Sequence, residues 1–102
     1  MRIDLKEKNH FLTVFETFFG QSIDRPINGI SIDSRNIKKN DLFIAIKGEN
    51  FDGNDFVDEA LSKVSNIIIA DNKRYKNNKD KRIIWVNDSI KALKTISNNI
   101  KQ

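Results

Sequence analysis

The fold of this chain is decided by the stretch GISIDSRNIKKNDLFIAIKGENFDGNDFV, which runs from residue 29 to residue 57. Its apolar runs predict two buried strands, Ile30–Asp33 and Leu42–Ile46, and a polar cluster follows each of them. The first cluster is DSR at 33–35 and the second is GENFDG at 48–53. Because ligands bind beyond the carboxyl ends of the strands in an open α/β sheet, we expect the two clusters to share one binding site.

The side chains of the two clusters suit an anionic, polyhydroxylated ligand. Arg35 offers planar charged donors for a phosphate or a carboxylate. The hydroxyl of Ser34 can donate or accept a hydrogen bond, and Phe51 adds a flat apolar face. The remaining polar members of the second cluster can contact a base or a sugar, and they are Glu49, Asn50 and Asp52.

The same residues also allow a purely structural explanation. Asp and Gly favour turns for local reasons. Asp33 and Asp52 can therefore brace turns, and Arg35 can pair with one of them. The spacing of these residues leaves both explanations open.

The order of these motifs resembles the N-terminal domain of the Mur ligases. That family pattern is DSR, a short spacer, GDLFVAxxG, a variable loop, DGHDF and then a helix. Here DSR at 33–35 precedes DLFIAIKGENFDG at 41–53 and DFV at 55–57. The form GENFDG is more similar to the MurF type, with the MurE type second. The segment Trp85–Ser89 is similar to the end of this domain, so the resemblance covers nearly the whole chain.

The sequence departs from the family pattern at three places. Asn40 stands where the family usually has glycine, and Asn tolerates the left-handed backbone region better than most residues. Asn54 stands where the family often has histidine, which puts any contact through an imidazole in doubt. Val64-Ser65 replaces a common Gly-Ala pair, which changes a turn.

The resemblance implies a function in peptidoglycan precursor synthesis, and hence in cell shape and division. Mur ligases are cytoplasmic ATP-dependent amide ligases, and their first domain holds the UDP part of a UDP-N-acetylmuramoyl peptide. The MurF type adds D-alanyl-D-alanine to the tripeptide form, and the MurE type adds the third residue to the dipeptide form. Carried to this sequence, the UDP-binding residues would be Ile32 and Ser34 on one wall, Glu49, Asn50 and Phe51 on the other, with Arg35 and Asp52 as further contacts.

The residues needed for ATP chemistry are absent from this sequence. Such a ligase needs a Gly-rich phosphate loop with a lysine and a Ser or Thr for magnesium, and no G-x-x-x-x-G-K-[ST] occurs. There is no cysteine, and His10 lacks partners for a metal site. We therefore predict no catalytic or metal-binding residue and no cofactor in this domain, with ATP and Mg²⁺ bound in the parent ligase.

We expect residues 1–102 to form a single first domain that is inactive alone, with the central and C-terminal domains missing. Lys101 and Gln102 would lead into the linker to the central domain. No apolar run approaches the roughly 20 residues of a membrane span, and the N-terminus does not resemble a signal peptide. A cytoplasmic location without membrane contact is therefore expected.

A basic segment at 71–82, DNKRYKNNKDKR, carries much of the net charge of +4. Such a run could bind nucleic acid, with Tyr75 stacking on a base, so a small nucleic-acid-binding module is an alternative. The run is short, lies between two predicted strands and contains its own aspartates. These features favour a solvated surface loop.

The rest of the chain alternates between helical and strand patterns. Apolar spacing predicts a helix over His10–Phe19, with Asn9 as its N-cap and Gly20 as its end. Further strands are expected at Asn66–Ala70 and Ile83–Val86. A second helix is expected to start at Asn54 or Asp55 and to run to about Lys63. A third helix is expected to follow a cap at Asp88, with one apolar stripe made of Ile90, Leu93, Ile96 and Ile100. The pattern predicts an α/β fold with one small mixed or parallel sheet flanked by helices.

Overall fold

A five-stranded sheet forms the centre of the fold in the computed structural model, which describes residues 2–63 and 65–100. The strands pair in chain order. β1 is antiparallel to β2, and the other neighbours are parallel. The bounds are β1 Arg2–Asp4, β2 Gly29–Ser31, β3 Asp41–Ile44, β4 Ser65–Ala70 and β5 Ile83–Trp85. The mixed sheet confirms the predicted α/β fold class.

The central strand β3 is buried on both faces, as the apolar run Leu42–Ile46 predicts. Successive side chains of a strand point to opposite faces. Leu42 and Ile44 accordingly belong to one core cluster, while Phe43 and Ala45 belong to the other. The sheet therefore separates two apolar layers.

Helices cover both faces of the sheet. α1 Lys8–Phe19 and α3 Ser89–Asn99 pack on the first face, whereas α2 Val57–Ser62 packs on the second. Three single-turn 3₁₀ helices follow β2, β3 and β4, and their bounds are Ser34–Asn36, Gly53–Phe56 and Lys73–Tyr75. No helix within the described residues is long and apolar enough to cross a membrane.

The ends of α1 and α3 agree with the sequence in part. Gly20 ends α1 in the left-handed region at φ 68°, as predicted, but α1 begins at Lys8, so Asn9 lies inside it and is not its N-cap. Asp88 caps α3 by accepting a hydrogen bond of 3.0 Å from the backbone N of Lys91.

The predicted apolar stripe of α3 is wrong at Ile90, which is 44% exposed. The buried positions of α3 are Ser89, Ala92 and Ile96. Because an α-helix has about 3.6 residues per turn, Ile90 lies about 100° around the helix from Ser89 and faces away from the sheet.

The predicted start of the second helix also needs correction. A 3₁₀ turn at Gly53–Phe56 precedes α2, and Asp52 caps that turn through a 2.9 Å hydrogen bond from the backbone N of Asn54. Neither Asn54 nor Asp55 is the cap. Asn40 adopts φ 63°, so it occupies the left-handed turn position expected of it. The expectations for Val64 and for the linker at residues 101 and 102 lie outside the described residues.

The short strand β1 was not predicted from the sequence, and a long-range ion pair secures it. Arg2 donates from Nε and Nη2 to the two carboxylate oxygens of Asp41, at 2.6 Å each. Nη1 of Arg2 also contacts Asp4 on the surface. The guanidinium crosses β2 directly above Gly29, where any added side chain would collide with it.

Candidate functional site

A cavity of about 460 Å³ lies beyond the carboxyl ends of β2 and β3. Residues that follow β2 form one wall, and two aromatic residues from the loop after β3 form the other. The lining residues are Ile32, Asp33, Ser34, Arg35, Phe51 and Phe56. The structure therefore brings the two predicted clusters together at one edge of the sheet.

A tight turn after β2 builds the first wall. The hydroxyl oxygen of the buried Ser31 lies 2.8 Å from both the backbone oxygen of Asp33 and Oδ1 of Asn36, so its single hydrogen can be donated to either of them. On the other side, Nζ of Lys63 donates to the backbone oxygen of Ser34 at 3.0 Å. Among the described residues, the hydroxyl of Ser34 has no partner although it lines the cavity, so it can serve a ligand.

Arg35 and Asp33 form an ion pair at the rim of this wall. Nε and Nη2 of Arg35 donate to the two oxygens of Asp33 at 3.0 and 2.8 Å. These hydrogen bonds, together with one from the backbone N of Arg35, lower the pKa of Asp33 to about 2. The Arg35 side chain is 86% exposed, and its Nη1 has no partner within residues 2–63 and 65–100. Arg35 thus braces the turn, as the structural explanation expected, and still presents donors to solvent.

The second wall is an aromatic pair. The ring of Phe51 lies 5.4 Å from the ring of Phe56, at an interplanar angle of 37°. Phe51 is 48% exposed, which is unusual for so large an apolar side chain. Phe56 was not among the predicted site residues. It lies in the 3₁₀ turn at Gly53–Phe56, packs against the second core cluster and also lines the cavity.

Three predicted contact residues do not line the cavity. Glu49 and Asn50 are exposed at the tip of the loop. Asp52 faces Asn54 and accepts hydrogen bonds from its backbone N at 2.9 Å and its Nδ2 at 2.8 Å. Burial alone would raise the pKa of Asp52, but these two hydrogen bonds outweigh it and leave the pKa below its ordinary value. Asp52 therefore braces the loop.

Asn54 occupies the interior of the fold, with 1% of its surface exposed. Its side chain reaches from the loop after β3 to the loop after β4, where it bonds to Asp71 and Asn72. The sequence did not predict this role of Asn54. Its partners Asp71 and Asn72 lie in the charged segment 71–82, which was predicted to be a solvated loop.

The basic segment at 71–82 is only partly solvated. Tyr75 packs against the second core cluster, and its hydroxyl lies 3.4 Å from the backbone oxygen of Asn54. Arg74 donates to the same oxygen at 2.6 Å, and Arg82 pairs with Asp80 at 2.8 Å. Tyr75 is thus engaged in packing, which leaves the nucleic-acid alternative without its stacking residue.

The described residues contain no group of three or more His, Cys, Asp or Glu side chains that could hold a metal ion. His10 contributes to packing, since its Nε2 lies 3.0 Å from the backbone oxygen of Asn99 and joins α1 to α3.

The fold and the cavity define a small α/β domain with a cavity at the carboxyl edge of its parallel strands. A family model described as "Mur ligase family, catalytic domain" matches residues 26–101, most of the chain. The chain belongs to the Mur ligase family.

Similar curated proteins are peptidoglycan precursor ligases. A UDP-N-acetylmuramoyl-L-alanyl-D-glutamate–2,6-diaminopimelate ligase of Rickettsia felis is 46% identical over 67 residues, which are 66% of this chain and 12% of that protein. The enzyme of the same name from Clostridium tetani is 42% identical over 76% of this chain and 16% of its own length. A UDP-N-acetylmuramoyl-tripeptide–D-alanyl-D-alanine ligase of Rickettsia prowazekii is 40% identical over 69% of this chain and 15% of its own length. The chain thus spans between 12% and 16% of the length of these relatives.

Similar solved structures carry the MurF name. The MurF ligase of Thermotoga maritima, solved with ADP, aligns with a TM-score of 0.59 and 35% identity over 67% of this chain and 15% of its own. A MurF of Acinetobacter baumannii gives a TM-score of 0.65 at 24% identity over 82% of this chain and 19% of its own, which supports the fold alone. The diaminopimelate ligases among the curated relatives, at up to 48% identity, are nearer in sequence than the tripeptide ligase, so the predicted order of MurF before MurE is not confirmed.

Proposed function

We propose that this domain binds the uridine diphosphate end of a UDP-N-acetylmuramoyl peptide, as part of a longer ATP-dependent amide ligase. The observation that carries the proposal is the cavity in which Ser34 and Arg35 face Phe51 and Phe56. The names of the curated relatives specify substrates of this chemical class.

The cavity offers suitable chemistry for each part of a uridine diphosphate. The exposed guanidinium of Arg35 suits the diphosphate, because it presents several N–H donors in one plane. Phe51 offers an exposed ring face on which a base can stack. The hydroxyl of Ser34 and the apolar surface of Ile32 complete the site. Glu49 and Asn50, which are exposed at the tip of the loop, are assigned to the sugar hydroxyls.

The role of the domain in catalysis is positioning. Binding energy from a part of the substrate that does not react can hold the reacting carboxylate in place. ATP and Mg²⁺, which ligases of this family use, are assigned to other domains, because this sequence has no G-x-x-x-x-G-K-[ST] phosphate loop. No chemical step is therefore assigned to this chain.

Between the two ligase types, we place the MurE type first. It is supported by the identities of 42–48% to diaminopimelate ligases. The MurF type is the second candidate, supported by the GENFDG motif at 48–53 and by the similarity to the Thermotoga maritima MurF.

A two-dimensional amide NMR titration tests the binding proposal. Separate samples receive UDP, UDP-N-acetylmuramoyl dipeptide, the tripeptide form, ATP and inorganic pyrophosphate. Shifts clustered at residues 32–35 and 51–56 with all three uridine ligands, but absent with ATP, are expected. Pyrophosphate alone should move only the amides near Arg35. A folded sample that responds to no uridine ligand would contradict the proposal.

The ligase type is tested on the complete gene product. With ATP present, one reaction pairs the dipeptide substrate with diaminopimelate, and the other pairs the tripeptide substrate with D-alanyl-D-alanine. The mass of the product identifies the peptide added. Product in the second reaction alone would replace the MurE assignment with the MurF one.

A further inference from the structure

The side chain of the buried Asn54 uses its full amide chemistry to join two loops. Nδ2 donates to Asp52 at 2.8 Å and to Asp71 at 2.9 Å. Oδ1 accepts from the backbone N atoms of Asp71 at 3.2 Å and of Asn72 at 3.0 Å. Only an amide of this size offers two donors to two carboxylates and, at the same time, an acceptor to two backbone N–H groups.

The backbone of Asn54 takes part in the same network. Its oxygen accepts from Nη2 of Arg74 at 2.6 Å and from the hydroxyl of Tyr75 at 3.4 Å. The network extends further, since Oδ2 of Asp71 accepts from the backbone N of Ser89 at the start of α3. The loop after β3, the loop after β4 and the third helix therefore share one set of hydrogen bonds.

The aromatic wall of the cavity lies on both sides of this anchored point. Gly53 is packed so tightly that an added Cβ would lie 2.7 Å from the backbone N of Ile46. Phe56 follows Asn54 by two residues, and Phe51 packs on Phe56. Asn54 thus lies between a tightly packed glycine and Phe56, which in turn contacts Phe51. A shift of Asn54 would therefore displace both aromatic rings.

We propose that Asn54 is a positioning residue for the aromatic wall, and that Asp71, which does not line the cavity, controls ligand affinity through it. The proposal deepens the function assigned above and rests on it for the identity of the ligand. It predicts that a change in the loop after β4 alters binding at a cavity that this loop does not touch.

The test compares two aspartates of the segment 71–82 that both accept side-chain hydrogen bonds. Asp71→Ala removes one of the two carboxylate acceptors of Asn54, together with the acceptor of the Ser89 backbone N. Asp80→Ala removes the acceptor of Arg82 and leaves Asn54 untouched. Titration with UDP should give about a fivefold weaker affinity for Asp71→Ala, the loss that corresponds to one hydrogen bond. Asp80→Ala should bind UDP within about twofold of the unaltered protein. If Asp71→Ala does not fold, Asn54→Ser removes the same hydrogen bond from the donor side and is expected to weaken UDP binding in the same direction.

Ligand-free spectra separate this inference from the binding proposal. In Asp71→Ala, but not in Asp80→Ala, the amide shifts and hydrogen exchange of Phe51 and Phe56 should change before any ligand is added. If the unaltered protein does not bind UDP, the proposed function fails, while this ligand-free readout still tests the coupling between the loops. Unchanged spectra at Phe51 and Phe56 would overturn the inference. Unchanged UDP affinity in Asp71→Ala, in a protein that does bind UDP, would overturn it as well.

Discussion

The guanidinium of Arg2 holds the fully buried carboxylate of Asp41 through two hydrogen bonds of 2.6 Å, across the strand that separates them. One residue thereby fixes the first strand to the third. Lys38 adds a backbone hydrogen bond of 2.8 Å to the same carboxylate. The turn that precedes β3 and the N-terminal strand thus depend on one buried charge.

Loss of Arg2 is expected to destabilise the domain strongly. Arg2→Ala should lower the free energy of unfolding by about 3 kcal/mol, because removing one partner leaves a buried charge uncompensated. Asp4→Asn is the matched control, since Asp4 pairs with the same guanidinium on the surface, where ion pairs contribute little. Urea unfolding measures both variants, and equal losses would contradict this account of the pair.

The loop after β3 should tolerate a methyl group at Gly48 but not at Gly53. A Cβ at Gly53 would lie 2.7 Å from the backbone N of Ile46, whereas at Gly48 the nearest atom would be 3.6 Å away. Gly53→Ala is therefore expected to lower the free energy of unfolding by about 1–3 kcal/mol, as overpacking does. Gly48→Ala should leave it unchanged within about 0.5 kcal/mol. Thermal unfolding of the two variants measures this difference. Equal unfolding midpoints would contradict the prediction.

Ser34 is expected to contribute one hydrogen bond to the ligand. Ser34→Ala should weaken UDP binding about fivefold, the equivalent of about 1 kcal/mol. Ser22→Ala, an exposed serine that does not line the cavity, is the control and should bind normally. Calorimetric titration gives both affinities, and an unchanged value for Ser34→Ala in a folded protein would remove Ser34 from the site.

The pKa of Asp33 reports where Arg35 points. Its ordinary value of 3.8 is lowered to about 2 by Arg35. A group with a lowered pKa stabilises the fold above its unfolded value and loses that contribution as the pH falls through its folded value. The contribution of this pair should therefore be complete above pH 3.8 and disappear as the pH falls towards about 2.

Carboxyl NMR measures this pKa directly. Arg35→Ala should return the pKa of Asp33 towards 3.8, while that of Asp80, which Arg82 lowers, should stay in place. If Arg35 turns to a phosphate on binding, UDP should also raise the pKa of Asp33. A value for Asp33 that is the same in the Arg35→Ala variant would show that the ion pair is absent in solution.

The parts of the fold that could be predicted from the sequence depend on local patterns. The unbroken apolar run of β3, the Gly20 stop and the Asp88 cap each act within a few residues, and all three are confirmed. The cavity at the strand ends followed from the same reasoning, because parallel strands bring their carboxyl ends to one edge.

The features that could not be predicted depend on contacts between distant residues. β1 is only three residues long, and its partner Asp41 lies 39 positions away. The buried role of Asn54 depends on Asp71, 17 positions away. No local periodicity encodes either of these two contacts. The 3₁₀ turn at Gly53–Phe56, capped by Asp52, is a local feature that stands where an α-helix was expected.

The order of the strands in the sheet has a consequence for biosynthesis. Every strand pairs with the strand made just before it, so none has to be inserted between two others that already exist. Because a chain leaves the ribosome from its N-terminus, each new strand meets a completed edge as it emerges. The sheet can grow in one direction from β1 to β5, and the long-range pair of Arg2 and Asp41 would lock the first three strands before the fourth emerges from the ribosome.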